Sequence, residues 1–197
     1  MGKAEETRRF IIETVAPIFN MHGYAGTALS QLTEATGLTK GALYGNFKNK
    51  QEIALTALEY NISRIRDVIS ATVGPIKNSC DKLVAIAEFY RNMFDEISQR
   101  GGCPILNAAI DSDDTELPLH GFVIRSIDQW MSMLILIITR GIKRGEIKKG
   151  IDPESFATLF ISLIEGGIML AKATGTRIHL ERNVAYLIDK INADLRI

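Results

Sequence analysis

Two cysteines, Cys80 and Cys103, are all that the 197 residues contain. They form no C-x-x-C pair and no Cys/His cluster, which excludes a disulfide-stapled scaffold and a structural zinc site and fits a reducing, cytoplasmic setting. Net charge is missing too: 23 basic residues cancel 23 acidic ones, so attraction to nucleic acid has to come from local clustering. Long apolar runs are absent. Trp130 to Ile138, about nine residues with Ser132 inside, is half of the roughly 18 that suggest a membrane span. It reads as a buried helix segment, and no membrane partner is expected. Residues 1–9 carry no apolar secretory segment, so export is not expected. Neither H-E-x-x-H, a P-loop, a strand-borne glycine fingerprint nor a nucleophile–base pair occurs, so catalysis, a cofactor and a metal are not expected.

What is present is apolar spacing of helical period. Hydrophobic residues make up 46% of the chain, enough for a core, and period-two alternation is nearly lacking, which predicts an all-α fold. Leu83, Ile86, Ala87, Tyr90, Met93, Phe94 and Ile97 form one stripe of a helix over 82–99, ended by Gly101-Gly102. A short stretch follows from Pro104 to Ile110, then an acidic turn over 111–116 and a long helix to about Gly141. Asp111-x-Asp113-Asp114 resembles the start of a calcium loop, but Glu116 and Phe122 stand where that loop needs glycine and glutamate, so a polar turn is the better reading. Asp152-Pro153-Glu154 caps a further helix that stops at Gly175. A last helix carries Leu180, Val184, Leu187, Ile188, Ile191 and Leu195, antiparallel to the one before.

The first fifty residues differ in texture. Between Gly26 and Lys50 lie three lysines and one acid, a net +2 in a neutral chain. Thr27 is placed to cap a helix with Leu29, Leu32 and Ala35 inward, ending at Thr36-Gly37. Thr39 caps a second helix, Lys40 to Tyr44, with Leu43 inward. Two short helices joined through a glycine turn make a helix-turn-helix, whose second helix enters the DNA major groove. Lys40 can reach a base edge or phosphate, Gly41 lets a phosphate approach the backbone, and Tyr44 offers its hydroxyl. Asn49 with Glu52 at N3 caps the next helix, making Lys48 and Lys50 candidate phosphate clamps.

Over residues 10–60 the chain resembles the TetR family of bacterial transcriptional regulators: Phe19, Gly23-Tyr24, Thr27, then Thr36 through Tyr44, Asn46-Phe47 and Lys50. The resemblance implies a three-helix DNA-binding head, taken as residues 1–50. It also implies a larger helical body, 51–197, that holds an effector pocket and dimerises through its last two long helices. By position, Thr27 and Lys50 match phosphate contacts, and Thr39, Lys40, Gly41, Ala42 and Tyr44 match the recognition helix. Two departures stand out. Pro17 inside the first helix removes an amide and crowds the Glu13 carbonyl, which predicts a kink or tightening. Gly45 follows the recognition tyrosine, so fewer base contacts are expected there.

In the body, Tyr90, Met93, Phe94, Phe122, Trp130 and Met133 are candidates to line an apolar pocket, although each is also ordinary core material. Cys103 sits where a helix N-terminus would lower a thiol pKa, a possible redox sensor; a small buried hydrophobe is the plainer reading. Phe156, Leu159, Phe160, Leu163, Gly166, Gly167, Val184, Leu187, Ile188 and Ile191 form the candidate dimer surface, the glycine pair admitting a close helix. The expected function is a homodimeric repressor, released from a palindromic DNA operator by a small apolar ligand. A helical interaction scaffold, or an enzyme with an appended head, is the alternative.

Overall fold

The computed structural model describes residues 2–24, 26–112 and 118–197, and within them the chain is helical apart from short connections. In chain order the helices are α1 (Lys3–His22), α2 (Leu29–Thr36), α3 (Lys40–Asn46), α4 (Lys50–Val73), α5 (Ser79–Asn92), α6 (Phe94–Gln99), α7 (Pro104–Ser112), α8 (Pro118–Arg144), α9 (Pro153–Thr174) and α10 (Ile178–Lys190). A π-helical turn, Ile191–Leu195, closes the last of them. Among the described residues, β pairing amounts to one bridge, Ile147 with Arg196. The calcium-like positions Asp113, Asp114 and Glu116 lie outside the described residues.

The chain divides into two compact units, Met1–Ile65 with Gln99–Ile124, and Arg66–Ser98 with Arg125–Ile197. The first is built on α1, whose inward Ile11, Val15, Ala16 and Phe19 close over Leu32 of α2, Leu43 of α3, and Ile53 and Leu58 of α4. Phe19 stacks on Tyr24, with centroids 5.6 Å apart and planes 8° from parallel. Pro17 sits within α1 without ending it. Ala108 of α7 and Val123 of α8 belong to the same buried cluster.

What draws α7 into this unit is the paired glycine that separation in sequence concealed. Gly101 and Gly102 take φ of +101° and +92°, and a Cβ at 101 would lie 2.8 Å from the carbonyl carbon and oxygen of Asn20. The buried Asn20 amide donates to the carbonyls of Arg100 (2.7 Å) and Gly102 (3.0 Å). In return Asn107 donates to the carbonyls of Gly101 (2.8 Å) and Asn20 (3.1 Å). Hydrogen bonds of this kind satisfy backbone oxygens that burial would otherwise leave at a cost of about 1–3 kcal/mol each.

The second unit centres on α9 and α10. Asp152 caps α9 by accepting from the Glu154 amide (3.1 Å), Pro153 follows, and Gly175 ends the helix in the left-handed region. Gly167 lies against Leu180, and Asn183 donates to the Leu163 carbonyl (2.8 Å), so the two helices run antiparallel.

Several helix limits differ from expectation. The stripe over 82–99 is shared by α5 and α6, which part at Met93; because the Met93 amide still reaches Phe89 and its carbonyl still receives Ile97, the apolar phase survives the break. Gly141 does not stop α8. A Cβ there would lie 2.6 Å from the Ile147 side chain and 2.7 Å from the Ser79 Cβ, so this glycine is a packing contact, and Gly145, at φ +71°, sits just past the helix end. Thr27 does not cap α2; Ala28 stands at that position.

Candidate DNA-binding interface

Recognition needs a helix held from behind with polar side chains left in front, and α3 is arranged so. Leu43 is buried while Lys40, Gly41, Tyr44 and Gly45 are exposed and Ala42 is half-exposed. The Thr39 hydroxyl accepts from the Ala42 amide (3.2 Å), the cap expected from sequence. The helix runs two residues beyond Tyr44 because Asn46 donates its amide back to the Ala42 carbonyl (2.9 Å). Lys40 and Tyr44, four apart, share a face, with the ammonium 5.8 Å from the phenol ring centroid.

The junction into α4 follows the expected cap and adds a partner. Asn49 Oδ1 accepts from the Glu52 amide (2.8 Å), and the Glu52 carboxylate accepts from the Lys48 amide (2.7 Å) and from Arg8 of α1 (2.8 Å). These bonds, the Lys48 amide foremost, hold the Glu52 carboxyl below the usual carboxylate range. Arg8 also donates to the Asn46 carbonyl and lays its guanidinium 4.0 Å from the Phe47 ring centroid. It therefore pins the end of α3 and the start of α4 to α1. Arg8 escaped the sequence reading because its partners lie 38 and 44 positions away, a separation that leaves no spacing signature. Lys48 is exposed and Lys50 half-buried beside this junction.

Thr27 departs from both roles expected of it. Ala28 occupies the cap position of α2, and its amide donates to the Gln31 side chain (2.7 Å). The Thr27 side chain is fully buried, its hydroxyl donating to the Gly23 carbonyl (2.6 Å). Its oxygen is spent on the turn between α1 and α2 and is shut off from a phosphate.

The body candidates separate. Tyr90 and Trp130 meet with ring centroids 5.7 Å apart, Phe94 is buried, and Met93 and Met133 are half-buried, all in the second unit. Phe122 instead packs against the core of the first unit. Cys103 immediately precedes α7 as expected, but it is buried, which favours the packing reading. Of the candidate dimer residues, Phe160, Gly167, Val184, Leu187 and Ile191 are buried within the chain, where they hold α9 on α10. Leu159 is exposed and Phe156, Leu163, Gly166 and Ile188 are half-exposed. Met169, Leu170 and Tyr186, which were not singled out from sequence, are exposed beside them.

A cap-stabilised short helix with a cationic, aromatic face, braced by α1 and α2, defines a helix-turn-helix DNA-binding protein. The comparisons with known proteins narrow this. Residues 11–57 match the family described as bacterial regulatory proteins, tetR family, and residues 79–187 match the tetracyclin repressor-like C-terminal domain. The chain belongs to the TetR family of transcriptional regulators. It is similar to a TetR transcriptional regulator from Chloroflexus aurantiacus J-10-FL, with 36% identity, all of both chains covered and a TM-score of 0.95. It is also similar to a TetR-family regulator from Cytophaga hutchinsonii, with 37% identity, 100% and 98% of the two chains covered and a TM-score of 0.91. Among curated relatives, the transcriptional repressor DhaR of Mycobacterium sp. (strain GP1) is 23% identical over 93% of this chain and 91% of its own.

Proposed function

We propose that the protein is a homodimeric cytoplasmic repressor and not an enzyme, and that a small apolar molecule releases it from a palindromic operator. The observation that carries the DNA half is the exposed Lys40–Tyr44 face on a helix anchored by its buried Leu43. Thr39, Lys40, Gly41, Ala42 and Tyr44 face the groove, and Lys48 and Lys50 take phosphates; the buried Thr27 is left out of the contact set. The head is residues 1–50 and the effector-binding and dimerisation domain 51–197. The repressor sense is supported by the similarity to the transcriptional repressor DhaR and by the tetracyclin repressor-like match.

Dimerisation is supported by α9. Its most apolar 18-residue stretch, interrupted by polar residues but holding at most two charges, is only 33% buried in the single chain. Apolar surface of that extent marks an interaction site. The pairing surface is the outward side of α9 and α10, with Leu159, Met169, Leu170 and Tyr186 added to the half-exposed residues named above. Two heads on a twofold axis meet half-sites about 34–36 Å apart, hence the palindrome. Because α4 is one helix from Lys50 of the head to Val73, tilting it on ligand binding changes head spacing. The ligand need only prefer the non-binding spacing.

The test is a duplex selected by the full-length protein from a random-sequence library. With about six phosphates neutralised by the dimer, log affinity should fall with log salt at a slope of about −5. Lys40→Ala with Tyr44→Phe should abolish the preference for the selected duplex while the dimer persists in sedimentation. Unchanged affinity in that double variant would overturn the reading.

A further inference from the structure

The indole nitrogen of Trp130 is the feature that packing leaves unexplained. The residue is 9% exposed, and its Nε1–H, closed off from solvent, meets no hydrogen-bond acceptor among the described residues. Buried donors are nearly always paired, and the same unit pairs others: Asn183 reaches the Leu163 carbonyl and the Ser79 amide reaches Glu146 at 2.7 Å. A phenylalanine would fill the ring space beside Tyr90 without stranding a donor. The nitrogen of indole donates and never accepts, so it specifies the chemistry of what it awaits. His120 Nδ1 is also without a partner, but its tautomer decides whether it gives or takes, and it specifies nothing.

We propose that Trp130 is the orienting donor of the effector site, and that the effector carries an uncharged acceptor, a carbonyl or ether oxygen or a ring nitrogen, on an apolar body. This rests on the reading that the body, residues 51–197, holds the effector. The effector's own body is apolar because the indole packs on the Tyr90 ring at 5.7 Å, tilted by 32°, and that ring is in turn met edge-on by Phe89 at 5.2 Å. The acceptor is uncharged because an anion requires a cation, and Arg177, whose guanidinium lies 5.8 Å from the Phe94 ring, is committed. Its terminal nitrogens donate to Asp95 (3.0 Å) and to the Arg91 carbonyl (2.7 Å), and its Nε, which makes no hydrogen bond, faces the Glu181 carboxylate at 3.9 Å, so two carboxylates already balance its charge.

The chain has one tryptophan, so ¹⁵N-labelled full-length protein gives one indole resonance that reports this bond directly. Acetophenone and isopropenylbenzene serve as probes, equal in shape and differing in whether oxygen or CH₂ ends the double bond. The free protein should show the indole proton at a shift typical of an unbonded N–H. Acetophenone should move it downfield and isopropenylbenzene should not. Acetophenone should bind about tenfold more tightly, the effect of one good hydrogen bond, and Trp130→Phe should bring the ratio to one. If that variant does not fold, the resonance and the ratio in the native protein decide. A bonded shift already present in the free protein, or equal affinity for the two probes, overturns the proposal while leaving an apolar site standing. Binding of neither probe overturns the site as well.

Discussion

Apart from its chain neighbours and its own helix backbone, a methyl group added at position 41 would meet nothing closer than the Thr39 hydroxyl oxygen at 3.9 Å. Glycine inside a helix costs about 1 kcal/mol relative to alanine, so nothing in the folding of the head asks for it. Gly41→Ala should melt at or above the parent temperature by circular dichroism, yet lose at least tenfold in affinity for a selected duplex by fluorescence anisotropy. Retained affinity would show that no phosphate approaches the backbone there. Glu52 gives a second residue-scale prediction. Its carboxyl titrates below its ordinary value, so the stability it adds is fully present above the usual carboxylate pKa of about 4.3 and is lost as pH falls through its own lower value. The parent should therefore melt above Glu52→Gln at neutral pH, and that gap should close on acidification below about pH 4. At this scale the sequence was legible where partners are local. Thr39 and Asn49 bond three residues on, and both caps were foreseen. Thr27 was misread because its hydroxyl turns back to Gly23, a choice that only the packing of the turn decides.

Elements were legible in number and phase, less so in extent. Periodicity says which face of a helix is buried and nothing about where a glycine interrupts it. Gly141 and Gly145 look alike in sequence, but one is pressed against Ile147 and Ser79 while the other takes the left-handed conformation. The segment joining α6 to α7 carries the sharpest consequence. At Gly101 a side chain meets both a positive φ and the Asn20 backbone at 2.8 Å, where nothing flexible can yield. Gly101→Ala should destabilise the protein by about 2–5 kcal/mol, the sum of overpacking and left-handed strain. Chemical denaturation checks this, and a loss under 1 kcal/mol would mean that the segment does not sit on α1 in solution. Gly167→Ala is the milder companion, its new carbon 3.0 Å from Leu180 and so within reach of a small shift of α10.

For the molecule as a whole, sequence supplied the order of helices and their apolar sides, but not which helices close on which. The union of α7 with α1 depends on asparagines 87 positions apart, Asn20 and Asn107, and no local pattern announces it. The same limit split the candidate dimer residues, since spacing alone does not tell a face turned to its own chain from one turned outward. If the outward side of α9 and α10 is where two copies meet, unfolding is coupled to dissociation, and the melting temperature should rise with protein concentration over a hundredfold range. Leu159→Glu with Leu170→Glu should remove that dependence and sediment as a monomer.

Neither compact unit is a continuous stretch of chain: the polypeptide crosses between them after residues 65, 98 and 124. The DNA-reading part is consequently no cassette. A hybrid regulator made by splicing the first 65 residues onto a foreign body would leave behind Ala108 and Val123, which fill its interior, and would inherit strangers in their place. Exchange of heads between relatives should therefore cost stability unless residues 99–124 travel with the first 65, a barrier written into the threading of the backbone.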